Sequence, residues 1–306
     1  MAPREGGVHV NAIETSGLGK EYAPGVGLRP MTLEVAPGEI FGFLGPNGAG
    51  KTTAIRTLLG FLRPTAGSAR ILGHDVWRGR EAVHARVGYL PGEIKLRPEW
   101  TAGEVIRRAA ALRGQHDLAH SLTVARRLAL DVTRRVGTLS KGNRQKVGLC
   151  AALAARADVL ILDEPTDGLD PLAQDTVLAL LREARSEGRT VFLSSHVLTE
   201  VERVADRVGL IRAGDLVRVD DLAALTAGLP QRVSVHFAAS PTRDFTALPG
   251  LTDVVREGHE LHANWRGAPG DLLRALADEE LSAFSVTPPT LEDAFLGEYR
   301  GTGHDR

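Results

Sequence analysis

The residues best suited to chemistry in this chain form a glycine-rich segment, FGFLGPNGAGKTT, at positions 41–53. It contains the pattern G-x-x-x-x-G-K-[ST], which cradles phosphate groups when it joins a strand to a helix. The glycines let backbone N–H groups turn inward around a phosphate, and a helix N-terminus favours negative charge. Lys51 is placed to reach the β- and γ-phosphates of a nucleotide, and Thr52 can offer its hydroxyl to Mg²⁺.

Both neighbours that such a loop requires are present in the sequence. Ile40–Leu44 is an apolar run typical of a buried strand, and Thr53–Leu62 has helical periodicity. The alternative, an ordinary glycine-rich turn with an exposed lysine, is disfavoured by this context. The loop residues predicted to bind nucleotide are Gly45, Pro46, Asn47, Gly48, Ala49, Gly50, Lys51, Thr52 and Thr53.

Two adjacent acids, Asp163 and Glu164, supply what hydrolysis of a bound nucleotide needs besides the loop. They follow the apolar run Val159–Leu162, so they emerge at the carboxyl edge of the predicted sheet, where ligands bind in such folds. Asp163 is expected to hold Mg²⁺, and Glu164 to orient and deprotonate the attacking water. The alternative, two acids that cap the next turn, is weakened because Pro165 ends the strand at once.

The elements that must position these residues alternate along the chain. Short apolar runs at 40–44, 87–90, 159–162 and 190–193 predict buried strands and are separated by helical patterns. This alternation indicates an α/β fold with a mixed, largely parallel sheet. We therefore predict a P-loop NTPase fold. The predicted strands, including two before the loop, are Val8–Thr15, Met31–Val35, Ile40–Leu44, Val87–Leu90, Val159–Leu162 and Thr190–Leu193. The predicted helices beyond residue 136 are Arg144–Ala155, Leu172–Arg185 and Val197–Ala205.

Two regions depart from this alternation. Residues 98–136 are helical in pattern throughout, and we predict a helical subdomain at about 96–150. The pattern changes again near Asp220, where short strands and helices predict a small α+β domain over residues 220–306, after an ATPase domain over 1–219. Its predicted elements are strands 232–237, 254–256, 260–265 and 282–286, helices 221–229 and 271–277, and a last helix from Leu291.

The composition bounds the partners. Hydrophobic residues make up 43% of the chain, charged residues 25%, and the net charge is −1, as in ordinary globular proteins. Because nucleic-acid binding usually needs a clustered excess of basic residues, we expect no nucleic-acid partner. No stretch approaches the roughly 18 uninterrupted apolar residues that a membrane span needs. Any role at a membrane is therefore expected to come through a partner.

Six motifs in one order resemble those of the nucleotide-binding subunit of an ATP-binding cassette (ABC) transporter. The resemblance covers about residues 8–218. The ending PPTLEDAFL at 288–296 is similar to that of antibiotic and multidrug exporter ATPases of the daunorubicin-resistance type. The six motifs are Tyr22, the loop 45–52, LSKGN at 139–143, LILDEP at 160–165, GLDP at 168–171 and SSH at 194–196.

The resemblance implies a mechanism in which two subunits pair head to tail. Each ATP is held between one glycine-rich loop and the signature loop of the opposite subunit. Ser140, Gly142 and Asn143 match the signature positions, although Lys141 and Asn143 depart from its commoner wording. Asp170 matches the residue that communicates across the dimer.

Three side chains complete the site that the resemblance implies. His196 matches the switch histidine at the γ-phosphate, so that the implied catalytic residues are Glu164, His196 and Lys51. Tyr22, in a predicted loop over Glu21–Pro30, is expected to stack on adenine. Plainer alternatives stay open: Ser140 as a helix N-cap, His196 as the start of a surface helix, and Tyr22 as an ordinary loop residue.

One position does not match. The family usually has glutamine after the strand at 87–90, as a sensor of the γ-phosphate and the metal, but Gly92 stands here and is followed by Glu93. We hypothesise that Glu93 or a water takes over as a metal ligand. The next segment, Ile94–Trp100, is the expected contact surface for a permease, with Leu96 and Trp100 as candidate contacts. Packing inside the helical insert is the alternative for both.

The resulting prediction is the engine subunit of an exporter. It binds ATP and Mg²⁺, pairs with a second nucleotide-binding subunit, and works through a separate membrane permease at the cytoplasmic face of the membrane. The cargo class implied is an antibiotic, a drug-like or a lipophilic small molecule. The alternatives are a soluble cassette ATPase acting on nucleic acid or ribosomes, and a nucleotide-binding module without turnover. Soluble cassette ATPases of the first kind tend to carry two cassettes or a long coiled-coil insertion, and this sequence shows neither. The presence of Glu164 and His196 argues against the second alternative.

Overall fold

In the computed structural model the contacts within the chain divide it into two units, residues 1–221 and 222–306. The boundary predicted between residues 219 and 220 lies two positions earlier, inside the last strand of the first unit. Among the residues that the structure describes, no helix has the length and apolar character needed to cross a membrane. The described residues are 10–114, 118–154, 157–241, 243–246 and 248–294.

The first unit alternates strands with helices, as the sequence predicts. Its strands are β1 (Ile13–Ala23), β2 (Val26–Val35), β3 (Ile40–Leu44), β4 (Ala66–Ile71), β5 (His74–Asp75), β6 (Val87–Leu90), β7 (Val159–Asp163), β8 (Thr190–Ser195), β9 (Arg207–Arg212) and β10 (Asp215–Asp221). Its helices are α1 (Lys51–Leu58), α2 (Arg80–Arg86), α3 (Ala102–Ala111), α4 (Ala119–Arg127), α5 (Lys141–Ala154), α6 (Pro171–Ser186) and α7 (Leu198–Glu202).

A six-stranded sheet in the order β10-β9-β3-β8-β7-β6 forms the centre of this unit. Its strands pair in parallel except at the β9–β10 edge, which is antiparallel. Strands β3, β7 and β8 are buried at every position, and the ring of Phe192 lies 5.7 Å from that of Phe41 and 5.4 Å from that of Phe43. Gly42 lets α7 approach, since a Cβ there would lie 2.3 Å from Val201 Cγ1. The predicted largely parallel sheet is confirmed.

A second, antiparallel sheet in the order β2-β1-β4-β5 was not predicted. The loop predicted over Glu21–Pro30 is wrong: most of it is strand, and Tyr22 lies in β1. The glycines that suggested a loop instead permit close pairing, because a Cβ at Gly27, where φ is 140°, would lie 2.0 Å from Lys20 O. The strand predicted over Val8–Thr15 begins at Ile13, and its first two residues lie outside the described part of the chain.

Two further predictions in the first unit are corrected. The region 98–136 is not helical throughout, because Ala129 adopts a φ of 50° after α4 and the chain then extends to a short 3-10 turn, Val136–Thr138. Helix α3 begins where Thr101 and Glu104 form a reciprocal capping box. The helix predicted over 197–205 is the five-residue α7, and β9 and β10, which follow it, were missed.

In its described residues, the second unit has a four-stranded antiparallel sheet, two short helices and a helical segment at 291–294. The sheet order is β12-β13-β11-β14, and one face is covered by a core that includes Phe237, Trp265 and Leu272. A last helix was predicted from Leu291; residues 291–294 are helical, and its continuation with the tail 301–306 lies outside the described residues. The elements are α8 (Leu222–Thr226), β11 (Gln231–Phe237), β12 (Leu251–Glu257), β13 (Glu260–Trp265), α9 (Pro269–Ala275) and β14 (Leu281–Thr287).

Candidate active site

The glycine-rich loop joins β3 to α1, as its pattern requires. Gly48 and Gly50 have φ values of 81° and 107°, in the left-handed region that side chains rarely adopt. Gly45 packs against β9, and a Cβ there would lie 2.4 Å from Ile211 O. Helix α1 has no acidic residue in its first turn, so that its N-terminal N–H groups keep their attraction for an anion. The loop is therefore shaped to receive phosphate.

Lys51 lies inside this loop rather than in solvent. Its side chain is 6% exposed, and Nζ donates to Gly45 O at 2.5 Å and to Pro46 O at 3.2 Å. The same nitrogen is 3.2 Å from Glu164 Oε1. The loop carbonyls and the carboxylate thus hold the cation where a phosphate chain lying in the loop would meet it.

Asp163 ends β7 and is almost completely buried, with 1% of its surface exposed. Thr52 Oγ1 donates to its Oδ2 at 2.8 Å, and Ser194 Oγ donates to its Oδ1 at 2.6 Å. Hydroxyl and carboxylate oxygens are the donors that Mg²⁺ prefers, so that Thr52 and Asp163 fit the metal role expected of them. Among the described residues, no cluster of three His, Cys, Asp or Glu side chains forms a fuller metal centre.

Glu164 adopts a φ of 51°, a left-handed backbone that is uncommon for a residue with a side chain. Its N–H donates to Ser194 Oγ at 3.1 Å. Its Oε2 lies 2.8 Å from His196 Nδ1, which places the ring proton on that nitrogen because a carboxylate can only accept. The carboxylate is 19% exposed and the imidazole 43%. Lys51 and His196 thus bond the two oxygens of one accessible carboxylate.

The departure at Gly92 has a geometric counterpart. A Cβ at this position would lie 3.1 Å from Asp163 Oδ2 and 3.2 Å from its Cγ, so that the backbone at 92 lies directly against the carboxylate. Glu93, the hypothesised replacement ligand, has a 74% exposed side chain that pairs with Lys95 at 3.3 Å. The structure therefore does not join Glu93 to Thr52 and Asp163.

The signature segment forms the start of α5. Ser140 Oγ accepts the Asn143 N–H at 3.2 Å, which is an N-cap bond, so that the plainer alternative for Ser140 holds within one subunit. Gly142 packs closely on the turn after β7, where a Cβ would lie 2.6 Å from Gly168 O. Lys141 Nζ pairs with Asp167 at 2.7 Å. Lys141 and Asn143, which differ from the commoner signature sequence, are therefore compatible with a regular start of α5.

Asp170 caps the N-terminus of α6, with Oδ1 accepting the Ala173 N–H at 2.9 Å. That bond, with the nearby Lys146 charge in support, holds the pKa of the Asp170 carboxyl below its usual value. Lys146 Nζ lies 3.8 Å from its Oδ2. Tyr22 is 56% exposed, and Lys20 Nζ lies 5.6 Å from the centre of its ring. An exposed tyrosine is available for stacking, but no described contact joins it to the glycine-rich loop.

The hairpin that carries Tyr22 is linked to the glycine-rich loop through one residue. Gly214 N donates to Ala49 O at 2.9 Å, and its carbonyl accepts the Arg29 N–H at 2.9 Å. Gly214 has a φ of 86°, and a Cβ on it would lie 2.2 Å from Gly27 O. Only glycine fits between the loop and the hairpin.

Trp100 illustrates the alternative kept open for the expected permease contact. Its ring lies 4.3 Å from the guanidinium of Arg108 and 5.5 Å from that of Arg97. Arg108 belongs to α3, so this ring packs within the helical region. This contact fits packing inside the insert, and the permease contact of Leu96 and Trp100 stays a prediction.

Sequence reasoning missed three residues of the site. Ser194 bonds both acids, Gln145 donates to the Glu164 carbonyl at 3.0 Å, and Gly214 holds the loop. Ser194 stands in the quoted motif before His196, which is the one available signal. The bonds of Gln145 and Ser194 span 19 and 31 residues, and no local pattern encodes contacts of that range.

Comparison with known proteins agrees with this geometry. Residues 28–167 match the family model described as ABC transporter. The chain is 35% identical over 309 residues to the daunorubicin resistance ATP-binding protein DrrA3 of Streptomyces coeruleorubidus, covering 96% of this chain and 97% of that protein. It is 33% identical over 305 residues to the Nod factor export ATP-binding protein I of Paraburkholderia xenovorans (strain LB400), covering 93% and 96%.

Solved structures agree as well. One described as the ATP-binding subunit of an ABC transporter superposes with a TM-score of 0.66 at 29% identity, covering 71% of this chain and 92% of that one. The predicted resemblance and the predicted P-loop NTPase fold are confirmed. The chain therefore belongs to the ABC transporter family, as one of its ATP-binding, ATP-hydrolysing subunits.

Proposed function

We propose that this ATPase powers export of a drug-like or lipophilic small molecule through a separate membrane permease. The observation that carries the hydrolytic part is the convergence of five side chains at the carboxyl ends of three adjacent parallel strands. Ligands bind at this edge in α/β folds. The five are Lys51 and Thr52 after β3, Asp163 and Glu164 at the end of β7, and His196 after β8.

Phosphate binding would use the loop amides and Lys51. The buried ammonium is bonded to loop carbonyls and to Glu164, and a γ-phosphate entering beside it offers stronger, charged acceptors. Lys51 would then turn from the carbonyl of Gly45 towards the phosphate. This exchange would free Glu164 Oε1 for a water molecule.

Thr52 and Asp163 would hold Mg²⁺ through the Thr52 hydroxyl and the Asp163 carboxylate, which are hydrogen-bonded to each other at 2.8 Å. The ion, when bound, neutralises charge on the β- and γ-phosphate oxygens. Ser194 keeps its bond to the other oxygen of Asp163 and so orients the carboxylate. A conservative exchange at Asp163 would therefore disturb a shell of bonds as well as one ligand.

Glu164 would accept the proton of the attacking water, since it is the accessible carboxylate of the pair. His196 holds Oε2 through Nδ1, so that Oε1 is the oxygen that faces Lys51 and the phosphate. The imidazole is exposed enough to contact a γ-phosphate from its other nitrogen. General-base positioning of this kind contributes about 10²- to 10⁴-fold to a rate.

The site in one subunit is half of a composite one in this proposal. Ser140, Gly142 and Asn143 would close over the ATP of a second subunit, where the N-terminus of α5 can meet the γ-phosphate. Asp170 would lie at the junction between the subunits, and Tyr22 would stack on adenine. Relatives named for daunorubicin resistance and Nod factor export support export as the direction and a small molecule as the cargo.

The hydrolytic part is tested with Glu164→Gln. The variant should bind ATP with wild-type affinity, stay dimeric on it and lose at least about 100-fold in turnover, because an amide cannot take the proton. Glu187→Gln, at an exposed position after α6, is the matched control and should behave like the wild type. Full turnover in Glu164→Gln would refute the assignment.

The transport part is tested by purification from membranes and by drug accumulation. We expect the chain to co-purify with a polytopic membrane protein, and cells expressing both to accumulate less of a fluorescent anthracycline than cells with Glu164→Gln. Co-purification with ribosomes or nucleic acid instead would favour the soluble alternative.

A further inference from the structure

Helix α5 begins with the signature segment, and we call it the signature helix. One buried glutamine bonds it to the backbone of the catalytic turn, residues 164–168 after β7. Gln145 is 5% exposed. Its Nε2 donates to Glu164 O at 3.0 Å and to Pro165 O at 3.3 Å, so both amide hydrogens face the turn that follows β7. Neither bond belongs to the helix itself. The side chain therefore links the signature helix to the turn that carries the proposed base.

This turn needs external support. Glu164 has a φ of 51°, and a non-glycine residue in the left-handed region costs about 1–3 kcal/mol unless its surroundings hold it there. Its N–H donates to Ser194 of β8, and its carbonyl accepts from Gln145 of α5 at 3.0 Å as well as from the Asp167 N–H of the turn itself at 3.2 Å. A strand on one side and a helix on the other thus fix the two peptide units that flank Glu164.

The same turn touches the start of α5 at two more points. Gly142 packs against the Gly168 carbonyl, and Lys141 Nζ pairs with Asp167 at 2.7 Å. The Lys141 pair is largely exposed and contributes little by itself. The Gly142 contact is steric, and together with Gln145 it makes the first two turns of α5 follow the segment 164–168.

We propose that Gln145 is a positioning residue that couples the signature end of α5 to the base in the same subunit. The proposal rests on the proposed function, in which Ser140 meets the nucleotide of a second subunit. Ser140 and Gln145 are five residues apart, about 7.5 Å along a helix axis. A displacement of α5 on closure of the partner's site is passed to the Glu164 carbonyl through Nε2, and the carboxylate moves with its backbone.

Two observable consequences separate this role from simple packing. Loss of the Gln145 bonds should lower kcat more than it changes KM for ATP, because the phosphate-binding loop is untouched. Loss of these bonds should also weaken cooperativity between the two ATP sites, because a movement of α5 would no longer be transmitted to Glu164 of the same subunit. A residue that only filled space would change thermal stability without splitting these quantities.

The test uses the full chain with Gln145→Met, which keeps the length of the side chain and removes both donated bonds. We expect kcat to fall about 10-fold, as loss of about 1.4 kcal/mol of positioning implies, and the Hill coefficient for ATP to fall towards 1. KM should stay within about 3-fold. Gln174→Met is the matched control, because Gln174 also donates to a backbone carbonyl, at 3.3 Å, but that carbonyl belongs to Leu169 and not to the peptide units that flank Glu164.

A second readout does not depend on turnover. Amide hydrogen exchange in the peptide covering residues 163–168 should be faster in Gln145→Met than in the wild type or Gln174→Met. Gln145→Asn, too short to reach the carbonyls, should repeat both effects if the methionine variant folds poorly. Unchanged exchange together with wild-type kcat and Hill coefficient in both variants would overturn the proposal. Turnover retained in Glu164→Gln would instead overturn the proposed function, so the two failures are distinguishable.

Discussion

Replacing Ser194 with alanine removes one hydroxyl that serves both acids of the active site. Ser194 Oγ donates to Asp163 Oδ1 at 2.6 Å and accepts the Glu164 N–H at 3.1 Å. Ser194 is fully buried and Asp163 nearly so, which means that water cannot readily replace the lost donor. The alanine variant therefore leaves a buried carboxylate oxygen without this partner.

The expected cost follows from the charge on that oxygen. Hydrogen bonds to charged groups contribute about 1.5–3 kcal/mol, and we expect the free energy of unfolding to fall by about 2 kcal/mol. For a unit of this size that lowers the melting temperature by about 4–8 °C. We also expect kcat to fall about 10-fold, because Asp163 and Glu164 are both less well oriented.

Ser195→Ala is the matched control. Ser195 is equally buried, but its hydroxyl bonds neutral groups: it accepts the Val197 N–H at 2.9 Å and donates to the Val197 carbonyl at 3.5 Å. A neutral bond contributes about 1 kcal/mol, so the shift in melting temperature should be about half as large. Thermal unfolding by circular dichroism and steady-state ATPase assays measure both quantities. Equal shifts for the two variants, or wild-type turnover in Ser194→Ala, would refute the reasoning.

Two further perturbations test the contact at Gly92 and a surface ion pair. Gly92→Ala places a Cβ 3.1 Å from Asp163 Oδ2, so steady-state ATPase assays should show kcat reduced about 5-fold. Gly228→Ala is the control, because Gly228 has open space around it, and its kcat should match the wild type. Equal rates for the two variants would count against the contact. Arg127 donates two hydrogen bonds to Glu183 and so holds the pKa of that carboxyl below its usual 4.5. The pair stabilises above about pH 4.5 and is lost as pH falls through the lowered pKa, so urea unfolding should show Arg127→Met to be about 0.5 kcal/mol less stable at pH 7, with a difference that shrinks as the pH is lowered below 4.5. A difference that did not shrink on acidification would contradict this.

The glycine-rich loop and the central strands could be predicted from the sequence because their signals are local. The apolar run Ile40–Leu44 is β3 without any change of bounds, and Val87–Leu90 is β6. Buried parallel strands have continuous apolar sequences, and the residues that follow them emerge at one edge. The sequence could therefore predict that Asp163, Glu164 and His196 lie close together at this edge. In the structure His196 bonds the Glu164 carboxylate, and Ser194 bonds both acids.

The antiparallel sheet could not be predicted in the same way. Gly25 and Gly27 suggest a loop by composition, yet they lie where β1 and β2 turn and pair, with shifts of register nearby. Only the contacts between strands distant in sequence decide between the two. The same limit hid Gln145, which looks like an ordinary polar helix residue until the turn after β7 packs beside it.

The bonds of Gly214 to Ala49 and Arg29 have a consequence for how the molecule treats its ligand. The two peptide groups that flank this one residue anchor the phosphate-binding loop and the neighbouring antiparallel sheet to each other, and the close packing around Gly214 keeps either part from sliding past the other. The distance between the phosphate-binding loop and the antiparallel sheet is therefore fixed by the fold. A ligand that contacts both must have a length that matches this distance.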